Sequence, residues 1–200
     1  NKKKMADASA APPAALSKFR ALSENKVLRI VMFTIGVTLT IIVGILVILQ
    51  LFAYLAYCGF YGQYDRSGKD QVVPAEVFFT TICVIFVGVL SFAATLFCSI
   101  VALVDKGPST MRNIFLVISL VVQCVTVGVL VVQSANYGGQ ARILQKLFDN
   151  LCPYELTDKY KKNCWGMVNS LWAIFAACLM LLFSSMLNTV YTVFVLLIKG

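Results

Sequence analysis

Histidine is absent from the 200 residues, and only nine acids are present. The first absence removes the commonest general base and the usual ligand of zinc and haem. The second leaves little for proton or ion coupling. Asp7 and Glu24 stand in the amino-terminal tail, and the other seven acids lie in loops or at a helix mouth. A coupled pump carries an ionisable group near mid-membrane. No Gly-rich phosphate loop, serine elbow or zinc-ligand spacing occurs either. The chain is therefore expected to be no enzyme, with no catalytic residue, cofactor or metal site assigned.

What is abundant is hydrocarbon. Hydrophobic residues make up 60% of the chain and charged ones 13%, with a mean hydropathy of +0.84. A soluble domain carries about a quarter charged residues. The charges are also segregated. None falls in Ile30–Tyr64, Val77–Val104, Asn113–Ala141 or Asn163–Ile198, runs of 35, 28, 29 and 36 residues. A bilayer core takes about 20 apolar residues of helix, so each run reads as one span. The first run contains no Pro, Asn or Asp to make a turn, which argues for one long helix over two short ones. The expected fold is all-α: an integral-membrane four-helix bundle with spans at about 28–60, 75–104, 112–137 and 164–198, behind a basic tail at 1–26. The first apolar run is too long for a cleavable signal peptide. A transit peptide is left open by a tail that is basic, poor in acids and rich in Ala and Ser.

Seven of the 17 basic residues precede the first span: Lys2, Lys3, Lys4, Lys18, Arg20, Lys26 and Arg29. A polybasic segment beside a membrane helix meets anionic headgroups, at roughly 1 kcal/mol per residue. Lys18, Arg20, Lys26 and Arg29 are the candidates for that contact, and membrane lipid, not nucleic acid, is the partner they imply. With both tails inside, the cytosolic segments carry a net charge of +7 and the outer ones +1. Both termini are therefore expected in the cytosol.

The inner connection, Asp105 to Arg112, is a minimal turn around Gly107-Pro108, which makes spans two and three antiparallel neighbours. In the last outer loop, Leu144, Leu147, Phe148 and Leu151 share one helical face. A short amphipathic helix is expected there, ended by Pro153. Its apolar face caps the bundle, lies on the outer leaflet, or takes a partner. Tyr54, Tyr57, Phe60, Tyr61 and Tyr64, with Trp165 and Trp172, cluster at outer span ends, where amphipathic rings favour headgroups.

Cys152 and Cys164 are natural disulfide partners on an oxidising face, with Cys58 as competitor and free thiols as the alternative on a reducing one. Cys98, near the inner end of span two, is either a palmitoylation candidate or a buried thiol. Gly36, Thr40 and Gly44 recur every four residues, as do Ser91, Thr95 and Ser99. Such spacing lets helix backbones approach, within the bundle or between molecules. Gln50, Gln123, Gln133, Asn169 and Asn188 lie inside spans, scattered over depth rather than converging as a pore lining would. Glu76 reads as an interfacial charge or a partner of Arg142 or Lys146.

Internal tails, four spans, an Arg ahead of span one within Val27-Leu-Arg-Ile30, and Asn163-Cys-Trp-Gly-Met-Val-Asn-Ser-Leu-Trp172 at the start of span four carry a resemblance to the MARVEL-type tetraspan family, over about residues 27 to 198. The Cys-Cys-Gly of tetraspanins is absent, and the first outer loop lacks the Trp of claudin-like proteins. The resemblance implies membrane apposition, vesicle trafficking or lipid-domain organisation, without a catalytic step. Two further readings stand beside it: an accessory subunit of a larger membrane complex, and a transporter or pore. The expected partners are membrane lipids, further copies of the chain, or other membrane proteins. The expected location is the plasma membrane or an endomembrane, with organelle membranes left open.

Overall fold

The computed structural model describes residues 25–64, 75–104, 110–151 and 158–199, with side chains for all of these except 62–64, 75, 150, 151 and 158–160. Among the described residues, all but Asn25 and Val104 are helical. Four helices result: α1 (Lys26–Tyr64), α2 (Ala75–Leu103), α3 (Thr110–Leu151) and α4 (Asp158–Lys199). Each is long and apolar enough to cross a bilayer. The chain is a multi-pass membrane protein built as an all-α four-helix bundle.

Asn25 starts α1. Its side-chain oxygen accepts hydrogen bonds from the backbone N–H of Val27 at 3.0 Å and of Leu28 at 3.4 Å, which satisfies donors that no helical turn precedes. With no breaker inside it, α1 then runs 39 residues, about 58 Å at 1.5 Å per residue. That exceeds the ~30 Å hydrocarbon core, so helix projects beyond the lipid.

Helices α1 and α3 occupy opposite corners and do not touch, while α2 and α4, which run in the same direction, meet across the centre and pack on both. The corner helices therefore give most of their surface to the outside. In the apolar stretches of α1 and α3 only 22% and 28% of residues are buried, against 50% and 44% in α2 and α4. That outside is a continuous belt of Ile, Leu, Val and Phe, including Ile45, Phe52, Phe79, Phe86, Val121, Val132 and Phe183. Conversely, 18 of the 45 buried described residues are polar or charged, a share that fits an interior facing helices and an exterior facing lipid.

Helix α3 corrects one expectation. The segment 140–151 is not a separate amphipathic helix but the continuation of span three, so α3 reaches 42 residues. Gly138-Gly139 does not break it. Gly138 lies against the Phe175 ring, which a Cβ would approach to 3.2 Å, and Tyr137, Ala141 and Phe148 beyond it bury one face in the main core. Tertiary packing overrides the weak helix propensity of two glycines. The buried stripe is also rotated from the expected one, because Leu147 is exposed.

Candidate functional site

A bundle surrounded by lipid has its chemistry inside. Nine span hydroxyls, from Thr34 to Thr192, hydrogen-bond the carbonyl four residues back in their own helix, the default for Ser and Thr where water is scarce. The seam between helices is made in three layers, in which Thr95, Ser99 and Thr192 also take part.

The middle layer is the densest. The Ser91 hydroxyl donates to Gln123 Oε1 at 2.7 Å. Gln123 Nε2 donates back to the Ser91 carbonyl at 3.1 Å and to Thr95 Oγ1 at 2.9 Å. Asn188 Nδ2 reaches the Ser91 hydroxyl at 3.5 Å. Three helices are thereby joined, and all four residues are fully buried. Two of the span amides thus converge where the sequence suggested scatter. The others do not join them: Asn169 is exposed, and Gln133 accepts from Asn136 at 3.3 Å just past the middle of α3.

One layer holds Thr81 and Tyr137, whose hydroxyls share a 2.7 Å hydrogen bond. Gln50 lies beside Tyr137, fully buried and outside hydrogen-bond geometry with it. The layer on the other side of the middle one contains Ser99, Thr192 and Cys98. Cys98 is fully buried and its thiol donates to Thr192 Oγ1 at 3.7 Å. Of the two readings of Cys98, this burial fits the enclosed thiol.

The small residues are used up inside. A Cβ on Gly36 would run into the Ser99 hydroxyl and the Tyr191 ring. Tyr191 OH passes the glycine to donate to the Met32 carbonyl at 3.0 Å. Gly44 lies against Phe92, and Thr40, Ser91, Thr95 and Ser99 are buried. Both expected stripes are therefore intramolecular seams. The outward glycines are elsewhere: Gly128 and Gly139 on α3, and Gly59 on α1, with no atom within 4 Å of an added Cβ.

At one end of the bundle three cations gather. Arg112 donates to the Lys199 carbonyl at 2.6 Å, and Lys199 Nζ donates to the Val104 carbonyl at 3.2 Å, so cations sit where two helix C-termini carry partial negative charge. Arg29 shares a lining with Lys199 there and is only 8% exposed. It is thus packed within the bundle end rather than laid out along headgroups. Lys26 is exposed, and Lys18 and Arg20 lie outside the described residues.

At the opposite end Glu76 takes neither expected cation. It accepts from Gln140 Nε2 at 3.3 Å, while Arg142 and Lys146 are exposed. Trp172 donates to Gln145 Oε1 at 3.1 Å, a partner that only the continuation of α3 brings within reach. Tyr57 is 2% exposed and Phe60 lies against Gly166, where a Cβ would come within 2.5 Å of the ring. The aromatic cluster is therefore partly core, not solely an interfacial belt. Cys164 is buried in α4 beside that core rather than in a loop. Its expected partner Cys152 lies outside the described residues. Among the described residues no three His, Cys, Asp or Glu side chains gather as a metal site.

Comparison with protein-family models, curated proteins and solved structures gave no match to the chain.

Proposed function

We propose that this protein is a non-catalytic tetraspan organiser of membrane domains or of membrane trafficking, working through lipid and helix contacts. The observation that carries the reading is the division of labour among the helices. The inner faces of α2 and α4 carry most of the polar seam, whereas α1 and α3 bury only 22% and 28% of their most apolar stretches. Such helices offer long surfaces to lipids and neighbouring spans. The gathering of Arg29, Arg112 and Lys199 at one end supports a cytosolic placement for it, since basic residues flank the inner face. The MARVEL-type pattern around Val27–Ile30 and Asn163–Trp172 points the same way. Plasma membrane and endomembranes are the locations that fit.

A second reading, an accessory subunit of a larger membrane complex, draws on α3. Gly128 and Gly139 face outward with nothing packed on them, and small residues on a lipid-facing helix permit close approach of another helix.

Extraction in mild detergent followed by native mass measurement separates the two. A particle of one or more copies of this chain with retained lipid supports the organiser. An unrelated protein in fixed stoichiometry supports the subunit. Solute flux through the purified protein in liposomes would contradict both.

A further inference from the structure

Helix α2 has 29 residues, about 43 Å at 1.5 Å per residue, which matches a bilayer with its headgroups at about 40–45 Å. Its two ends therefore mark the two membrane faces. Glu76, in the first turn of α2, accepts from Gln140 of α3. Helix α3 thus leaves the membrane near Gln140, and its residues 141–151 stand beyond it.

One side of that projection is core, where Ala141 and Phe148 are buried. The other side breaks the pattern of a helix in water. Ile143 is 70% exposed, the highest value of any large apolar side chain described, and Leu147, one turn on, is 49% exposed. In the lipid belt such exposure is met by acyl chains; here it is met by water. Arg142 and Lys146 stand immediately beside these two, exposed, and neither has an ion pair or hydrogen bond among the described residues. An apolar row and a cationic row therefore run side by side, each at the i, i+4 spacing that puts its residues on one face. On the projecting ends of α3 and α4, Arg142, Lys146, Lys161 and Lys162 outnumber Asp149, the one acid with a described side chain.

Position and charge select the occupant. Acyl chains do not reach past Gln140. A second copy in the same membrane would run parallel to the first and set Arg142 and Lys146 against the same two cations, which costs affinity. A helix with apolar residues every three or four positions, flanked by Asp or Glu, answers both rows at once. The span of such a helix finds room below, because Gly128 and Gly139 open on nearly the same face of α3. We propose that the projecting end of α3 docks an acidic amphipathic helix of another membrane protein, one that continues past the bilayer beside α3. The proposal rests on the accessory-subunit reading and adds where the partner sits and what charge it carries.

The test is photocrosslinking in cell membranes from the full chain carrying benzoylphenylalanine at Ile143. The expected result is one discrete adduct with a different protein, whose crosslinked peptide is net negative and has apolar residues three and four apart. Arg142→Glu with Lys146→Glu should cut the adduct at least about tenfold, as like charges across an interface do, with the helical circular dichroism unchanged. Arg142→Lys with Lys146→Arg should keep it. Adducts with lipid alone, or with this same chain, would overturn the proposal. So would a neutral or basic crosslinked peptide, or an adduct indifferent to the two Glu substitutions. If native mass measurement finds a partner in fixed stoichiometry that Ile143 does not reach, the subunit reading stands and this docking site falls. If it finds only this chain, both fall.

Discussion

At the scale of the residue, stability in this protein comes from approach distance and paired polar groups, because lipid removes the hydrophobic drive between helices. Gly36 is the tightest such point. Gly36→Leu is expected to displace Tyr191 from the Met32 carbonyl and push α1 from α2, destabilising the bundle by about 1–3 kcal/mol as overpacking does. The same change at Gly128, which faces outward, should leave the thermal midpoint in detergent within the range of a neutral surface change. Equal losses at the two sites would show that Gly36 is not a packing position. The amides make a second contrast. Gln123 holds three hydrogen bonds within the seam, so Gln123→Leu should lower the midpoint by the equivalent of roughly 0.6–2 kcal/mol. Gln50 is equally buried, with the Tyr137 hydroxyl beside it but no hydrogen bond of good geometry. Gln50→Leu removes unsatisfied atoms and should raise the midpoint. A fall would mean that the Gln50 amide is bonded in the folded protein.

Among the elements, the four helices and their number were readable, because unbroken charge-free runs and missing turn residues act locally along the chain. Their lengths were not. Nothing in Gln140–Asn150 says whether an amphipathic segment is detached or continuous. That depends on Phe175 meeting Gly138 and on the core receiving Ala141 and Phe148, contacts made by a helix some 35 residues away. The cap at Asn25 was visible in principle as an Asn ahead of an apolar run. The continuity of α3 has its own test. Spin labels at Val132 and Lys146 are 14 residues apart on one helix and should give a single narrow distance near 21 Å. A broad or much shorter distribution would mean a break at Gly138-Gly139. Replacing Gly139 by Ala, with open space around it, should stabilise the helix by about 0.5–1 kcal/mol.

The whole molecule is a bundle whose polar groups look inward and whose hydrocarbon looks out. The sequence showed which residues were small or polar but not which of them met. Gln123 and Asn188 belong to different helices far apart in the chain, and their convergence on Ser91 follows only from how α2, α3 and α4 register. The buried Cys98 and the enclosed Arg29 were illegible for the same reason: their burial depends on which helix face meets a neighbour. The same inward seam leaves α1 and α3 as the surfaces offered to the bilayer, and on that arrangement the organiser reading stands. Spin-label accessibility along α3, residues 116 to 132, in lipid vesicles probes it most directly. Labels at Val117, Val121, Val125 and Val132 should collide with oxygen dissolved in the lipid, and labels at Leu116, Gln123 and Leu130 with neither oxygen nor a water-soluble nickel chelate. Collision of the nickel reagent at Gln123 or Leu130 would reveal water inside the bundle and contradict a dry, lipid-embedded scaffold.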